Sequence, residues 1–239
     1  MTKHAVTVKL DQKHDAWNWY DVSRDPVFVD FHWRDNLHGE MQAKFDQIIK
    51  LKDQVAKEEI NRYLIELYRL KKDEYNCLKW WINTEIQEKF ADACEWLEKT
   101  TRRPLLFQKF TIWLTTFPRA PYFPDKGELF FCIYWINPVE DFLHEALHFQ
   151  CHTYWRDDPK SPVSKLSQED WETLKESLTV IIDEDVKPLI RRVDTGYPAH
   201  ADFRKTLHVE WQKHHDFDRL INFGLKHLPK TTTKSSRIT

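Results

Sequence analysis

Glycine is scarce in this chain, 4 of 239 residues, so few positions are free to take left-handed turns. With helix formers common in the middle and at the end, helices are expected to dominate. Long apolar runs are missing as well. The longest, around residues 129–136, falls far short of the ~20 residues that a membrane span needs, and the first residues lack the apolar stretch of a signal peptide. Neither a membrane span nor secretion is expected, and the cytoplasm is the expected compartment. The 4 cysteines, Cys77, Cys94, Cys132 and Cys151, include no C-x-x-C pair. That pattern fits buried free thiols in a reducing compartment better than a disulfide framework or a cysteine-based zinc site. A charge excess of either sign is also lacking: 36 Lys and Arg face 38 Asp and Glu, for a net charge of -2. Nucleic-acid binders held by phosphate contacts carry a basic stripe, so nucleic acid is not an expected partner. No internal repeat or Ser/Gly-rich linker divides the chain.

What is there describes a folded protein, 41% hydrophobic and 14% aromatic with 11 Trp. The expected class is α+β, predominantly helical. Three segments are read: extended segments and a helical scaffold over 1–104, a core with C-terminal helices over 105–229, and a polar tail over 230–239. Val6, Val8 and Leu10 alternate, and 26–33 is β-branched and aromatic, so the first 35 residues are expected to be short strands or extended chain. Residues 39–70 carry apolar positions at helical spacing and are read as one long amphipathic helix. Thr84-Glu-Ile-Gln87 matches a capping box and predicts a new helix there. Residues 110–115 alternate and 128–136 are nearly all apolar, which predicts an antiparallel strand pair. The loop between them is stiffened by Pro118, Pro121 and Pro124 and turned by Gly127, and is read as a rigid connection.

Chemistry concentrates after the second strand. Asn137, Pro138 and Glu140 combine an N-cap, a proline at the first helical position and a Glu that reaches back to the cap, so a helix begins at Pro138. On a wheel of about 100° per residue with His144 at zero, His148 falls at about 40°, Asp141 at about 60°, His152 at about 80° and Glu145 at about 100°. Phe142, Leu143, Ala146 and Leu147 occupy the other side. His144-Glu145-x-x-His148 is the H-E-x-x-H pattern: imidazoles at i and i+4 converge on one Zn²⁺, and the intervening Glu is placed to act as base on water held by the ion. His152 lies about 12 Å along the axis from His144 at ~1.5 Å per residue, so it is read as a supporting or surface residue. Trp155, on the histidine face, is the one tryptophan expected at a cleft; most others are read as core.

A third ligand is sought in the helix predicted from Ser167 to about residue 182. Glu169, Glu172 and Glu176 are the choices, and Glu176 is preferred because it enters the apolar run 178–182, where a carboxylate needs a cation or donors. Against this choice, the stripe Trp171, Leu174, Leu178 and Ile181 centres on the opposite side, and a solvated Glu176 is the alternative. A turn at Gly196-Tyr-Pro-Ala-His200 leads into helices carrying Phe203, Leu207 and Trp211, then Phe217, Leu220 and Ile221. His208, His214 and His215 are read as surface residues.

Over roughly residues 110–182 the chain resembles the zincin metallopeptidases, specifically the gluzincin branch. His-Glu-Ala-Leu-His-Phe-Gln, Leu-Lys-Glu-Ser-Leu-Thr and Gly-Tyr-Pro-x-His also look like segments of a group of uncharacterised bacterial zincin-like proteins. The resemblance implies His144, His148 and Glu176 as zinc ligands, Glu145 as general base, an edge strand that aligns a peptide or protein substrate, and Tyr197 or His200 as the donor to the oxyanion. The chain departs from thermolysin-like enzymes in the longer spacing to Glu176 and in the absence of their N-E-x-x-S-D pattern. The expected function is zinc-dependent hydrolysis of an amide. The alternative is a helical interaction protein whose histidines hold a structural ion or none.

Overall fold

The computed structural model describes residues 4–28, 31–134, 137–182 and 186–229. The chain is α+β and mostly helical. Strand β1 (Ala5–Leu10) obeys its alternation, with Val6 and Val8 buried. The next segment departs from expectation. Gln12–Arg24 forms helix α1 instead of extended chain, opened by Asp11, whose side chain accepts from the Lys13 and His14 amides. Its inward face includes Asp15 and Asn18 beside Trp19 and Val22, so polar residues interrupt the apolar period that would have announced a helix. Strands β2 (Val27–Phe28) and β3 (Phe31–His32) pair as a small antiparallel ribbon.

The single helix expected over 39–70 is two, α2 (Gly39–Ile48) and α3 (Asp53–Leu70). No glycine or proline breaks it. Instead the guanidinium of Arg24 donates to the carbonyls of Ile48 and Leu51 at 3.3 and 3.1 Å, satisfying acceptors that a continuous helix would have used itself. Helix α4 (Lys72–Thr101) follows after one residue and runs for 30 residues. The capping box at Thr84 therefore opens nothing. The Thr84 hydroxyl donates to the Trp80 carbonyl one turn back, and Gln87 donates to the Val6 carbonyl of β1.

Strands β4 (Lys109–Thr115), β5 (Tyr122–Phe123) and β6 (Glu128–Cys132) complete a four-stranded sheet in the order β1-β4-β6-β5. Here the expected antiparallel pair is corrected: β4 and β6 run parallel, as do β1 and β4. Alternation reveals that strands exist but not their direction. The connecting loop is long enough to carry β5, and within this four-stranded sheet only β5 is antiparallel, to β6. The β5–β6 turn closes on Gly127 at φ 65°, where a Cβ would stand 2.9 Å from the Phe107 ring. Strand β6 ends at Cys132, and Trp135 and Ile136 lie outside the described residues.

Helix α5 (Pro138–Cys151) begins where expected, with proline in its first turn. Its cap differs: Asn137 makes no side-chain capping bond, and the Glu140 carboxylate turns toward Arg192. The helix ends in a π-helical turn, His152–Arg156. There Trp155 is buried against Phe217 and donates to Asp218, so it is core and not cleft. Helix α6 (Gln168–Leu178) is capped by Ser167 as read, and α7 (Ala201–His214) and α8 (Phe217–His227) finish the described chain. The tail over 230–239 lies outside the described residues.

Two apolar clusters result. One gathers Trp19, Val22, Phe45, Ile48, Ile60, Leu64 and Phe117 among the first helices. The larger draws on both sides of residue 104, from Val6 and Ile86 to Phe142, Leu174 and Leu220. The clusters are joined by Asp15, which accepts from Thr115 Oγ1, the Thr116 amide and hydroxyl, and Tyr68. Cys94, Cys132 and Cys151 are buried free thiols, while Cys77 is exposed, as is Trp80. Among the described residues no helix is long and apolar enough to cross a membrane.

Candidate metal centre

Helix α5 buries Phe142, Leu143, Ala146 and Leu147 and turns its other side toward α6. Across that gap His144 Nε2 stands 3.3 Å from one Glu176 oxygen and His148 Nε2 stands 3.4 Å from the other. One ligand atom from each of the three residues lies within 4.8 Å of the others. The fold thus brings together the three residues singled out as metal ligands. Glu176 faces inward despite the opposite apolar stripe because the last turn of α6 is buried all round: Leu174, Lys175, Glu176, Ser177 and Leu178 are all enclosed. Glu169 and Glu172 are not part of the cluster.

The cluster's electrostatics are set by burial and by partners that sequence reasoning missed. His148 is 1% exposed and neither ring nitrogen has a hydrogen-bond partner. Burial drops its pKa to about 3, so the ring is neutral with a lone pair to give. Burial works against ionisation of Glu176, but Lys175, then His148 and His144, hold its pKa well below the usual range. Lys175 Nζ is 3.0 Å from Glu176, 2.7 Å from Glu172 and 2.8 Å from the Tyr122 hydroxyl. An ammonium only donates, so the Tyr122 proton points to His152 Nε2 at 3.0 Å. His152 therefore acts in support, as read, and does not reach the cluster.

Asp194 is the second partner the sequence did not disclose. It accepts from His144 Nδ1 at 2.8 Å and from the Gly196 amide at 2.7 Å. Arg204 donates to the carbonyls of Glu176 and Asp194, at 2.8 and 2.7 Å, and so ties the turn of Asp194 to the end of α6. Gly196 sits at φ 61°, and a Cβ there would come within 2.6 Å of Arg204 Nε. Burial opposes the charge on His144, yet Asp194 and Glu176 raise its pKa well above the ordinary value. The only signals for this arrangement were an Asp-Thr-Gly turn and a buried arginine on α7, neither of which is specific.

A cavity of about 780 Å³ opens on the cluster. Glu145 lines it, with Oε2 buried and unpartnered. Burial pushes the Glu145 pKa up to about 8; His144 opposes the rise and Glu176 adds to it. Tyr197 also lines the cavity, and burial followed by the charges of Glu176 and Glu145 keeps its hydroxyl protonated far above the ordinary range. His200 is not in the lining. It is buried with its ring edge-on to Tyr197 at 6.2 Å. His208, His214 and His215 are absent from the lining too, whereas Pro121 and Tyr122 belong to it, so the proline loop is a wall of the cavity as well as a connection. Comparison of the chain with protein-family models, curated proteins and solved structures finds no match.

Proposed function

We propose that the chain holds a zinc ion between His144, His148 and Glu176, in a zincin-like arrangement of the gluzincin type, and uses it to hydrolyse an amide bond in a peptide or protein. One observation carries the reading: two imidazoles and a carboxylate converge at the wall of an open cavity, and buried His148 has no hydrogen-bond partner at either nitrogen. A two-nitrogen, one-oxygen set with no thiolate fits a catalytic zinc better than a closed structural one, which takes four protein ligands. The ion would supply Lewis acidity, lowering the pKa of a water and polarising the carbonyl.

The chain's own residues provide the rest. Glu145, beside His144 and unpaired at Oε2, takes a proton from the attacking water and returns it to the leaving amine, the two transfers that one group performs as general base and then general acid. Tyr197 keeps its proton and donates to the oxygen on which charge develops. His200, packed behind that ring, positions Tyr197. Strand β5 is the edge of the sheet and Tyr122 is at the cavity wall, so an extended peptide can lie along it by strand addition. A cavity opening on the cluster favours catalysis over a structural ion in an interaction protein. The test is a peptide-library digest by zinc-loaded protein, with Glu145→Gln as the control. Cleavage by the wild type that the control lacks supports the reading; a zinc-loaded protein that cleaves nothing opposes it.

A further inference from the structure

One turn before His144 on α5, about 5 Å along the axis, Glu140 and Asp141 line the same cavity. A helix N-terminus attracts carboxylates, which accounts for a solvated acid in a first turn. It does not account for Glu140, which is 7% exposed and whose Oε2 is buried with no hydrogen-bond partner. Arg192 pairs with the other oxygen at 3.6 Å, a long contact that water weakens because the Arg192 side chain is 70% exposed. Asp141 lines the cavity beside Glu140 and is attracted to His144 and Arg192 through space. A buried carboxylate beside a partly buried one loses hydration and is repelled by its neighbour, a cost that a cation relieves. The other cations of the lining are engaged: Lys175 with Glu172, Glu176 and Tyr122, Arg119 with Asp21, and His144 with Asp194 and Glu176.

A second metal ion is a poor fit, because among the described residues the one group of three close enough to hold an ion is His144, His148 and Glu176. An ammonium group needs only acceptors, and it brings three donors. We propose that Glu140 and Asp141 form a subsite for an ammonium group of the substrate, beside the bond to be cleaved. The inference rests on the reading of the cavity as a peptide hydrolase site and adds the class of peptide. Two sources share this chemistry: the free α-amino group of a peptide's first residue, and a lysine side chain.

The test measures binding, by NMR titration of the Glu145→Gln protein, of Ala-Ala-Ala-amide with a free amine, of its N-acetylated form, and of N-acetyl-Ala-Lys-Ala-amide. One of the two charged peptides is expected to bind about tenfold more tightly than the neutral one, as charge-assisted hydrogen bonds require, and which one does so identifies the source. The double variant Glu140→Gln/Asp141→Asn is expected to lose that preference and to unfold at no lower temperature, because crowded charges are removed. Equal binding of all three peptides, binding of none, a preference that survives in the double variant, or a lowered unfolding temperature would overturn the subsite. The titrations are run with and without zinc, and zinc uptake is measured alongside. A preference in protein that takes up no zinc would defeat the metal reading and keep the subsite; zinc uptake without a preference would do the reverse.

Discussion

His144 Nδ1 donates to Asp194 at 2.8 Å, and this one bond fixes which ring nitrogen faces Glu176. Carboxylates behind ligating histidines orient the ring and raise its basicity, and their loss costs roughly 10–100-fold in metal affinity. Asp194→Ala is expected to weaken zinc binding within that range, as read by competition with a chelating dye. Asp194→Asn, which keeps an acceptor, is expected to lose less. Unchanged affinity in both variants would remove Asp194 from the account.

Lys175 is 3% exposed and shares its ammonium between two glutamates and Tyr122. Removing one partner of a buried ion pair costs on the order of 3–5 kcal/mol because the remaining charge is left uncompensated. Lys175→Met is expected to lower the stability of zinc-free protein by about that amount in urea denaturation. Zinc, by compensating Glu176, is expected to narrow the gap between variant and wild type. A gap that zinc leaves unchanged would mean that the two cations do not serve the same carboxylate.

Gly196→Ala places a Cβ on Arg204 at a left-handed position, a strained conformation for any other residue. The turn that presents Asp194 is expected to shift. Zinc affinity should fall while the far-ultraviolet circular dichroism stays that of the wild type, since it is the Arg204 side chain that ties the Asp194 turn to the end of α6 while its backbone stays within α7.

Away from the metal centre, Asp15 gathers four donors from Thr115, Thr116 and Tyr68. Asp15→Ala leaves those buried groups unsatisfied, at a cost of about 2–4 kcal/mol. Urea denaturation should register that loss with zinc content per chain unaltered. Loss of zinc together with stability would mean that the α1 contact also supports the metal centre.

The helix carrying His144 and His148 was legible because Pro138, the apolar side and the histidine side all obey one local period. Glu176 was reached by a desolvation argument, and the apolar stripe that counted against it did not decide the matter because the end of α6 is enclosed on every side. What stayed hidden depends on distant partners. The break between α2 and α3 is made by Arg24 from α1, and the Thr84 motif loses to the uninterrupted helix around it. Strand direction and the roles of Asp194, Lys175 and Arg204 likewise arise from contacts between segments far apart in sequence.

The measurement that bears most directly on the central claim is elemental analysis of protein purified without a histidine tag, beside His148→Ala and Glu176→Ala. The account predicts about one zinc per chain, as for a site with three protein ligands, lost in His148→Ala and weakened in Glu176→Ala. No bound metal, together with no thermal shift when zinc is added, would contradict it.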